Sequence, residues 1–454
     1  MALPIQDLPA WARLNDVSFD NVEVTTTVDK GYGVVSQKDL AAPEGTVETP
    51  QLLAVPHDLI LNSLAVEEHA KEDKEFKQLL EAVGHHTADN NVATPRQRSA
   101  LPACSTVLLP TVWTEDERPL LKGTSLEVAV GAKLRALDNE FEMIREASSD
   151  IPYWNGLLWH SGAVSLKDWV HLDALYRSRC LELPKSGESM VPCIDMINHS
   201  SDPSAYYDQN SDYEAVLLLR PGASMSKGQE VTISYGDTKS AAEMLFSYGF
   251  IDPESTSESL VLPLAPFPDD PLAKAKLVAF GKAPKVHVAR ESGSIRWDSN
   301  FAYLKCVNEE DGLDFRILQD NEGNQQLRVF WQDEDVTDQI SEFQKLVAQT
   351  HPLPEVLRLR VAVSVQENLE IHLEQLKSEL PRHDSSTVRE ECLKHGLLLR
   401  QIETSLLEDA IQALEQEKNS LLEAENVVAY LGSMETSNSD LVGEEASNEA
   451  DDFS

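Results

Sequence analysis

Cysteine is scarce, with five in 454 residues at Cys104, Cys180, Cys193, Cys306 and Cys392, each alone in its stretch. An odd, unclustered set offers neither a disulfide framework nor a zinc module, so reduced thiols in the cytosol or nucleus are the expectation. Cys392 and His395 have a ligand-like spacing without a second pair, and read as helix packing. His85-His86 lacks partners at helical spacing, so no metal is expected. Long apolar runs are missing too. Nothing approaches the roughly 18 residues of a membrane span, and MALPIQDLPAWARLND has neither the basic start nor the apolar middle of a signal peptide. No membrane partner is expected, and the sequon Asn198-His199-Ser200 is discounted as a glycosylation site for the same reason. Basic residues are in short supply, 38 against 77 acidic ones, which leaves a net charge of -39. That charge excludes direct nucleic-acid binding and favours basic polypeptide, within a screening distance of about 8 Å at physiological salt. No 20 to 50 residue repeat is present.

What is there reads as a mixed α+β chain. From Val22, VEVTTTV alternates apolar and polar residues as a strand does, Lys30-Gly31-Tyr32-Gly33 interrupts it, and VVSQKDL resumes. Leu52 to Val55 reads as another strand. Between Asp58 and Arg179 the period changes to about 3.6. Thr124-x-x-Glu127 forms a capping box ahead of a helix whose face carries Leu126, Val130, Leu134, Leu137, Phe141 and Ile144. His85 to Arg98 reads as a mobile loop. Ala215 to Arg220 and Val231 to Tyr235 are strands, the second with Val231, Ile233 and Tyr235 on one face. FAYLKCVNEEDGLDFRILQ reads as β-rich and turns through Asn321 to Asn324 into QLRVFW. Helices dominate from Val336. Leu369, Leu373, Leu376 and Leu380 share a face before Pro381, and a further helical stretch runs from Val388 to Leu431 with Gly432 as its cap. Met434 to Ser454 holds only acidic charges and few large apolar residues, which predicts a disordered tail.

Two stretches carry the chemistry. VPCIDMINHSSDPSAYY, from Val191 to Tyr207, places Asn198-His199 just before an Asp-Pro turn. VTISYGDTKSAAEMLFSYGF, from Val231 to Phe250, supplies a strand, a turn and a short helix ending at Tyr248-Gly249. Together they bring Asn, His and Tyr side chains toward one site. The order, spacing and flanks of this pair resemble SET-domain protein lysine methyltransferases of the type of plant Rubisco large-subunit methyltransferase and the fungal ribosomal-protein lysine methyltransferases. The resemblance implies a SET β-fold split by a helical insertion and followed by a mainly α-helical C-terminal domain. The expected division is 1–57 and 180–265 for the two SET parts, 58–179 for the insertion, 266–433 for a substrate-binding-like domain and 434–454 for the tail.

The same resemblance implies S-adenosyl-L-methionine as cofactor and assigns roles. Lys30 and Tyr32, around the GxG, lay backbone against it. Arg179 of Ser178-Arg179 contacts its carboxylate, a match for the planar guanidinium. Asn198 faces its amino-acid end, the main chain of His199 faces adenine, and His199 has no proton-transfer role. Tyr248 is the catalytic tyrosine and also borders the cofactor. Asp195, Tyr206 and Tyr235 are candidates for the wall of the lysine channel. Each has a plainer alternative: Tyr235 as strand core, Tyr206 as a loop aromatic, Asp195 as a backbone cap. Where relatives carry another channel tyrosine after Tyr248-Gly249-Phe250, this chain has Ser257, Ser259 and Leu260, which leaves the degree of methylation open. The cysteine-rich segment found after many histone-modifying SET domains is absent.

The chemistry explains why such residues are needed. A free lysine has a pKa of about 10.4, so presenting its neutral amine near pH 7 costs about 4 to 5 kcal/mol. A narrow apolar channel and a neighbouring sulfonium both favour the neutral form. Fixed alignment of two reactants can lower a barrier by about 7 to 11 kcal/mol. The resemblance implies methyl transfer to lysine in a protein substrate, and together with the acidic charge it implies a basic context and a non-histone, ribosomal substrate; a monomer is expected. The alternatives are a catalytically silent SET-fold protein that binds a basic partner, and a histone methyltransferase.

Overall fold

The computed structural model describes residues 5–27, 30–45, 49–84, 106–162, 164–319, 325–378 and 387–433. The expected loop from His85 to Arg98, the turn from Asn321 to Asn324, the stop at Leu380-Pro381 and the tail from Met434 lie outside these residues. The chain divides into two compact units, one of residues 1–120, 126–257 and 382–396, the other of 121–125, 258–381 and 397–454.

The first unit opens with α1 (Leu8–Leu14), then β1 (Ser18–Phe19), β2 (Val22–Thr27), β3 (Gly31–Ser36), β4 (Leu40–Ala41) and β5 (Gln51–Val55). Its helical segment holds α2 (Ser63–Glu72), α3 (Lys74–Val83), α4 (Ser125–Ser149), the single turn α5 (Pro152–Trp154) and α6 (Leu166–Arg179). The chain then returns through β6 (Cys180–Leu183), β7 (Gly187–Met190), β8 (Asn198–His199), β9 (Ala205–Gln209), β10 (Ala215–Leu219), β11 (Ser224–Met225), β12 (Glu230–Ile233) and α7 (Ala241–Tyr248).

Two four-stranded sheets, in the orders β1-β5-β10-β9 and β2-β3-β12-β8, are joined by the small pairs β4-β11 and β6-β7. β-branched residues suit these pleated, half-buried strands. Leu53, Val55, Leu217, Val34, Val231 and Ile233 form their shared core with almost no exposure. On α4, Leu126, Val130, Leu137, Phe141 and Ile144 are buried as the periodicity predicts, while Leu134 is half-buried. Phe76, Leu79 and Val83 of α3 pack with Ile144 and Trp154 in a separate helical core.

One contact in this unit joins segments far apart in sequence. Glu117 is fully buried and takes Arg389 in a fork: Nε to Oε1 at 2.7 Å and Nη2 to Oε2 at 2.8 Å. The Thr114 and Arg389 N–H groups add bonds at 2.9 and 3.0 Å. Burial alone would raise this carboxyl, but the Arg389 and backbone hydrogen bonds win and hold it down at about 2.

The second unit contains β13 (Glu258–Pro263), α8 (Ala273–Phe280), β14 (Lys285–Glu291), β15 (Ser294–Asp298), α9 (Ala302–Cys306), β16 (Leu313–Gln319), β17 (Gln325–Trp331), β18 (Glu334–Asp335), α10 (Phe343–Thr350), α11 (Pro354–Lys377) and α12 (Glu390–Leu422), whose first turns belong to the first unit. Its strands form the antiparallel sheets β13-β14-β15 and β16-β17-β18. Three expectations are corrected here. The segment starting at Phe301 is helical over Ala302–Cys306, because Ala302, Tyr303 and Leu304 bury together against α11. The boundary falls at Glu258 and not near Pro266, because β13 pairs with β14 along its whole length. Gly432 lies inside a helical stretch over 425–433 and does not end the helix before it.

Lys276, 1% exposed, anchors this unit. Its ammonium meets Asp270 at 2.6 Å and the carbonyls of Lys305 and Val307 at 3.1 and 2.8 Å, so each donor has an acceptor. Glu403 of α12 accepts from the Ser125 N–H at 3.0 Å and from its hydroxyl at 2.5 Å, capping the first turn of α4. The Thr124 hydroxyl donates to the Leu121 carbonyl.

Candidate active site

The Asn198-His199 strand is held by β12. Thr232 and Ile233 lie parallel to Asn198 and His199, so the two motif-bearing stretches meet through backbone pairing. The Asn198 amide nitrogen donates to Glu230 at 2.6 Å and to the Tyr32 carbonyl at 3.3 Å. Lys30 completes the group, with Nζ donating to the His199 carbonyl at 3.4 Å and pairing with Glu230 at 3.7 Å. Gly33 sits among them. A Cβ there would stand 2.7 Å from Thr27, 2.8 Å from Glu230 and 2.9 Å from Asn198, so only glycine lets the strand approach so closely.

The His199 ring has a fixed orientation. The Tyr235 N–H donates to Nδ1 at 3.1 Å, so that nitrogen bears a lone pair, and Nε2–H donates to Asp252 at 3.2 Å. Burial opposes the charge on Asp252, but hydrogen bonds from Ser201, the Glu254 N–H and His199 hold its pKa below the ordinary range. His199 thereby acts as a clamp. Its ring lies 5.2 Å from Tyr235, and Tyr235 lies 4.6 Å from Tyr248, centroid to centroid. Phe250 closes this aromatic group against Tyr235 and Tyr248.

α7 ends in a left-handed turn at Gly249, with φ 83°, and a Cβ there would strike the backbone at Leu108 and Leu109. The turn sets Tyr248 in place, and its hydroxyl donates to the Tyr235 carbonyl at 3.1 Å. Burial first, then the neighbouring Tyr207 and Cys180, push its phenol up to about 12. Tyr235 donates to the Ile197 carbonyl at 2.7 Å, and burial holds its phenol well above the ordinary value. Both tyrosines are neutral at physiological pH.

Tyr235 and Tyr248 line a cavity of about 320 Å³, together with Arg179, Asp195, Tyr207 and Cys180. Arg179 Nη1 meets Asp195 Oδ2 at 2.9 Å. Among the described residues the other Asp195 oxygen, Oδ1, is buried without a side-chain hydrogen-bond partner. Burial pushes this carboxyl up against the opposing pull of Arg179. Cys193, two residues earlier, has φ 72° and ψ -40°, a conformation few L-residues adopt, within the turn that aims Asp195 inward.

No family model matches the chain. A curated relative, SET domain-containing protein 8 of Schizosaccharomyces pombe, is 31% identical over 332 residues, 71% of this chain and 72% of that protein. The chain belongs to the SET-domain family. A chloroplastic [fructose-bisphosphate aldolase]-lysine N-methyltransferase of Arabidopsis thaliana is 24% identical over 296 residues, 59% of this chain and 56% of its own length. A solved SET domain of LSMT bound to lysine and AdoHcy has the same fold, with a TM-score of 0.66 at 21% identity over 93% of both chains.

The structure brings the SET-domain residues predicted from sequence into two adjoining groups. Lys30, Tyr32, Asn198 and the main chain of His199 gather where β3 and β8 flank β12. Arg179, Asp195, Tyr235 and Tyr248 face the cavity. Tyr206 is a correction. It borders Thr49, 3.5 Å from that hydroxyl, whereas Tyr207 faces the cavity, because neighbours on β9 point to opposite sides. Ser257 donates to the Thr238 carbonyl, Leu260 is buried in the second unit, and neither borders the cavity. Sequence reading missed Asp252, although a histidine fixed at one nitrogen needs a partner at the other.

Proposed function

We propose that the chain transfers a methyl group from S-adenosyl-L-methionine to the side-chain amine of a lysine in a protein substrate. The observation that supports this most is the cavity walled by Tyr235 and Tyr248, with a buried Asp195 oxygen inside it that has no side-chain partner among the described residues. The cofactor fits the residues present. Gly33 lets β3 lie close against Asn198 and Glu230, which sets the Tyr32 and Asn198 polar groups side by side, and Arg179 keeps donors beyond the one on Asp195 for a carboxylate. Lys30, Tyr32, Arg179, Asn198 and the His199 main chain would hold it. When bound, it supplies a methyl group on a sulfonium.

The chain's own residues do the rest. The enclosed walls strip water from the entering amine and favour its neutral form. Asp195 Oδ1 accepts from the nitrogen and orients it. The Tyr248 phenol, fixed on the Tyr235 carbonyl, holds the line of approach without taking a proton.

We read the substrate as a basic protein, non-histone and ribosomal, met by a monomer in the cytosol or nucleus. The net charge of -39 supports a basic partner, and the scattered free thiols support a reducing compartment. Calorimetry with S-adenosyl-L-methionine, followed by methyl labelling of fractionated cell extract, tests the reading. Binding and a labelled lysine on a ribosomal band are expected. An absence of cofactor binding, or a mark found on histidine, would overturn it.

A further inference from the structure

The hairpin β6-β7 carries a feature that the reaction does not use. Its register sets Glu182 directly opposite Glu188, two carboxylates on one face of a two-stranded ribbon. Like charges in this position are destabilising. Among the described residues neither carboxylate has a lysine or arginine within ion-pair distance. Glu188 accepts from Tyr176 and feels the charge of Lys133, whose own ammonium sits 2.8 Å from Asp173. Both glutamates are exposed, and both line the mouth of the cavity that holds Tyr248 and Asp195.

The other charges on that lining do not compensate them. Arg179 is taken by Asp195, and Arg177 by Asp173, Thr111 and the Phe246 carbonyl. Lys239 stands on the loop between β12 and α7, packed against Gly236. Inside the same cavity the Asp195 side chain, 11% exposed, keeps an oxygen without a side-chain donor among the described residues. A buried acceptor that lacks a donor costs about 1 to 3 kcal/mol, and a donor-bearing guest removes that cost. The interior thus asks for a hydrogen-bond donor, which the target amine supplies, and the mouth asks for a cation.

We propose that Glu182 and Glu188 form a specificity subsite that binds a cationic side chain, arginine or lysine, flanking the lysine to be methylated. The proposal rests on the methyltransferase reading and deepens it: the preferred substrate is a lysine with a basic neighbour, and these two residues select it. An arginine between the carboxylates would relieve their repulsion and gain charge-assisted hydrogen bonds. The flanking residue would dock at the rim while the target amine enters the cavity.

The test uses the full chain and two fluorescent peptides, identical except that arginine or glutamine stands beside the lysine. Binding is read by anisotropy, so the outcome does not depend on turnover. The wild-type protein is expected to bind the arginine peptide about tenfold more tightly, and the double variant Glu182→Gln, Glu188→Gln is expected to lose that difference. Relief of repulsion should also raise the variant's melting temperature, a change opposite to the loss of a structural contact. No preference in the wild type, or an equal preference in the double variant, would overturn the subsite. Failure to bind S-adenosyl-L-methionine in a separate titration would instead overturn the methyltransferase reading.

Discussion

The role proposed for Tyr248 asks for a hydroxyl that does not titrate. Its phenol is pushed up to about 12, so it remains a neutral donor wherever the protein works. Tyr248→Phe keeps the ring but removes the hydroxyl. Turnover is expected to fall at least about 100-fold while cofactor affinity changes little, since about 2.7 kcal/mol is a moderate figure for a preorganised donor. Equal losses in turnover and in calorimetric affinity would place Tyr248 elsewhere in the mechanism. Gly33→Ala tests the neighbouring group. The new methyl must displace Asn198 or Glu230, so cofactor affinity should drop about tenfold or more, and an unchanged isotherm would refute the close-approach argument. Asn198, His199 and Tyr248 were legible in the sequence because each lies in a short motif with distinctive flanks. Tyr206 was not correctly placed, because Tyr206-Tyr207 has no alternation of its own and register against β10 decides which ring faces inward.

At the scale of elements, two buried carboxylates hold helix ends and tune stability in opposite directions. Glu403 is raised by burial from 4.5 to about 7. Its stabilising contribution is complete below pH 4.5 and is lost as pH rises through 7, at a cost of about 3 kcal/mol for charging the buried group. Glu403→Gln should therefore flatten the fall in melting temperature between pH 4.5 and 7, and a persistent slope would show that another group causes it. Glu117 has the reverse sign. Held down at about 2, it contributes stability above pH 4.5 and loses it as pH falls through 2. Glu117→Ala strands a guanidinium and should cost about 3 to 5 kcal/mol in denaturant unfolding. Helices and strands themselves were readable from period and β-branching. These two contacts were not, since Glu117 meets Arg389 across 272 residues and Ser125 meets Glu403 across 278. No local pattern encodes such a pairing.

For the molecule as a whole, the surplus of acid sets the terms of encounter. A net charge of -39 sets up a field that should draw basic peptides and that salt screens, from a range of about 10 Å at 0.1 M to about 3 Å at 1 M. Association rates with an arginine-rich peptide in stopped flow should fall at least tenfold across that range, and a flat profile would rule out steering. The fold class was legible because strand-like periodicity brackets a helical stretch. The true division was not, because both units are discontinuous, and composition gives no hint that 121–125 belongs with the second or 382–396 with the first.

That last assignment has a consequence for biosynthesis. A nascent polypeptide translated only as far as residue 381 already contains Glu117 and all the strands of the first unit, yet lacks the arginine that neutralises the buried acid. The N-terminal portion must wait, incompletely satisfied, until most of the chain has been made. A stop codon just before Arg389 should therefore damage the very segment that was synthesised first.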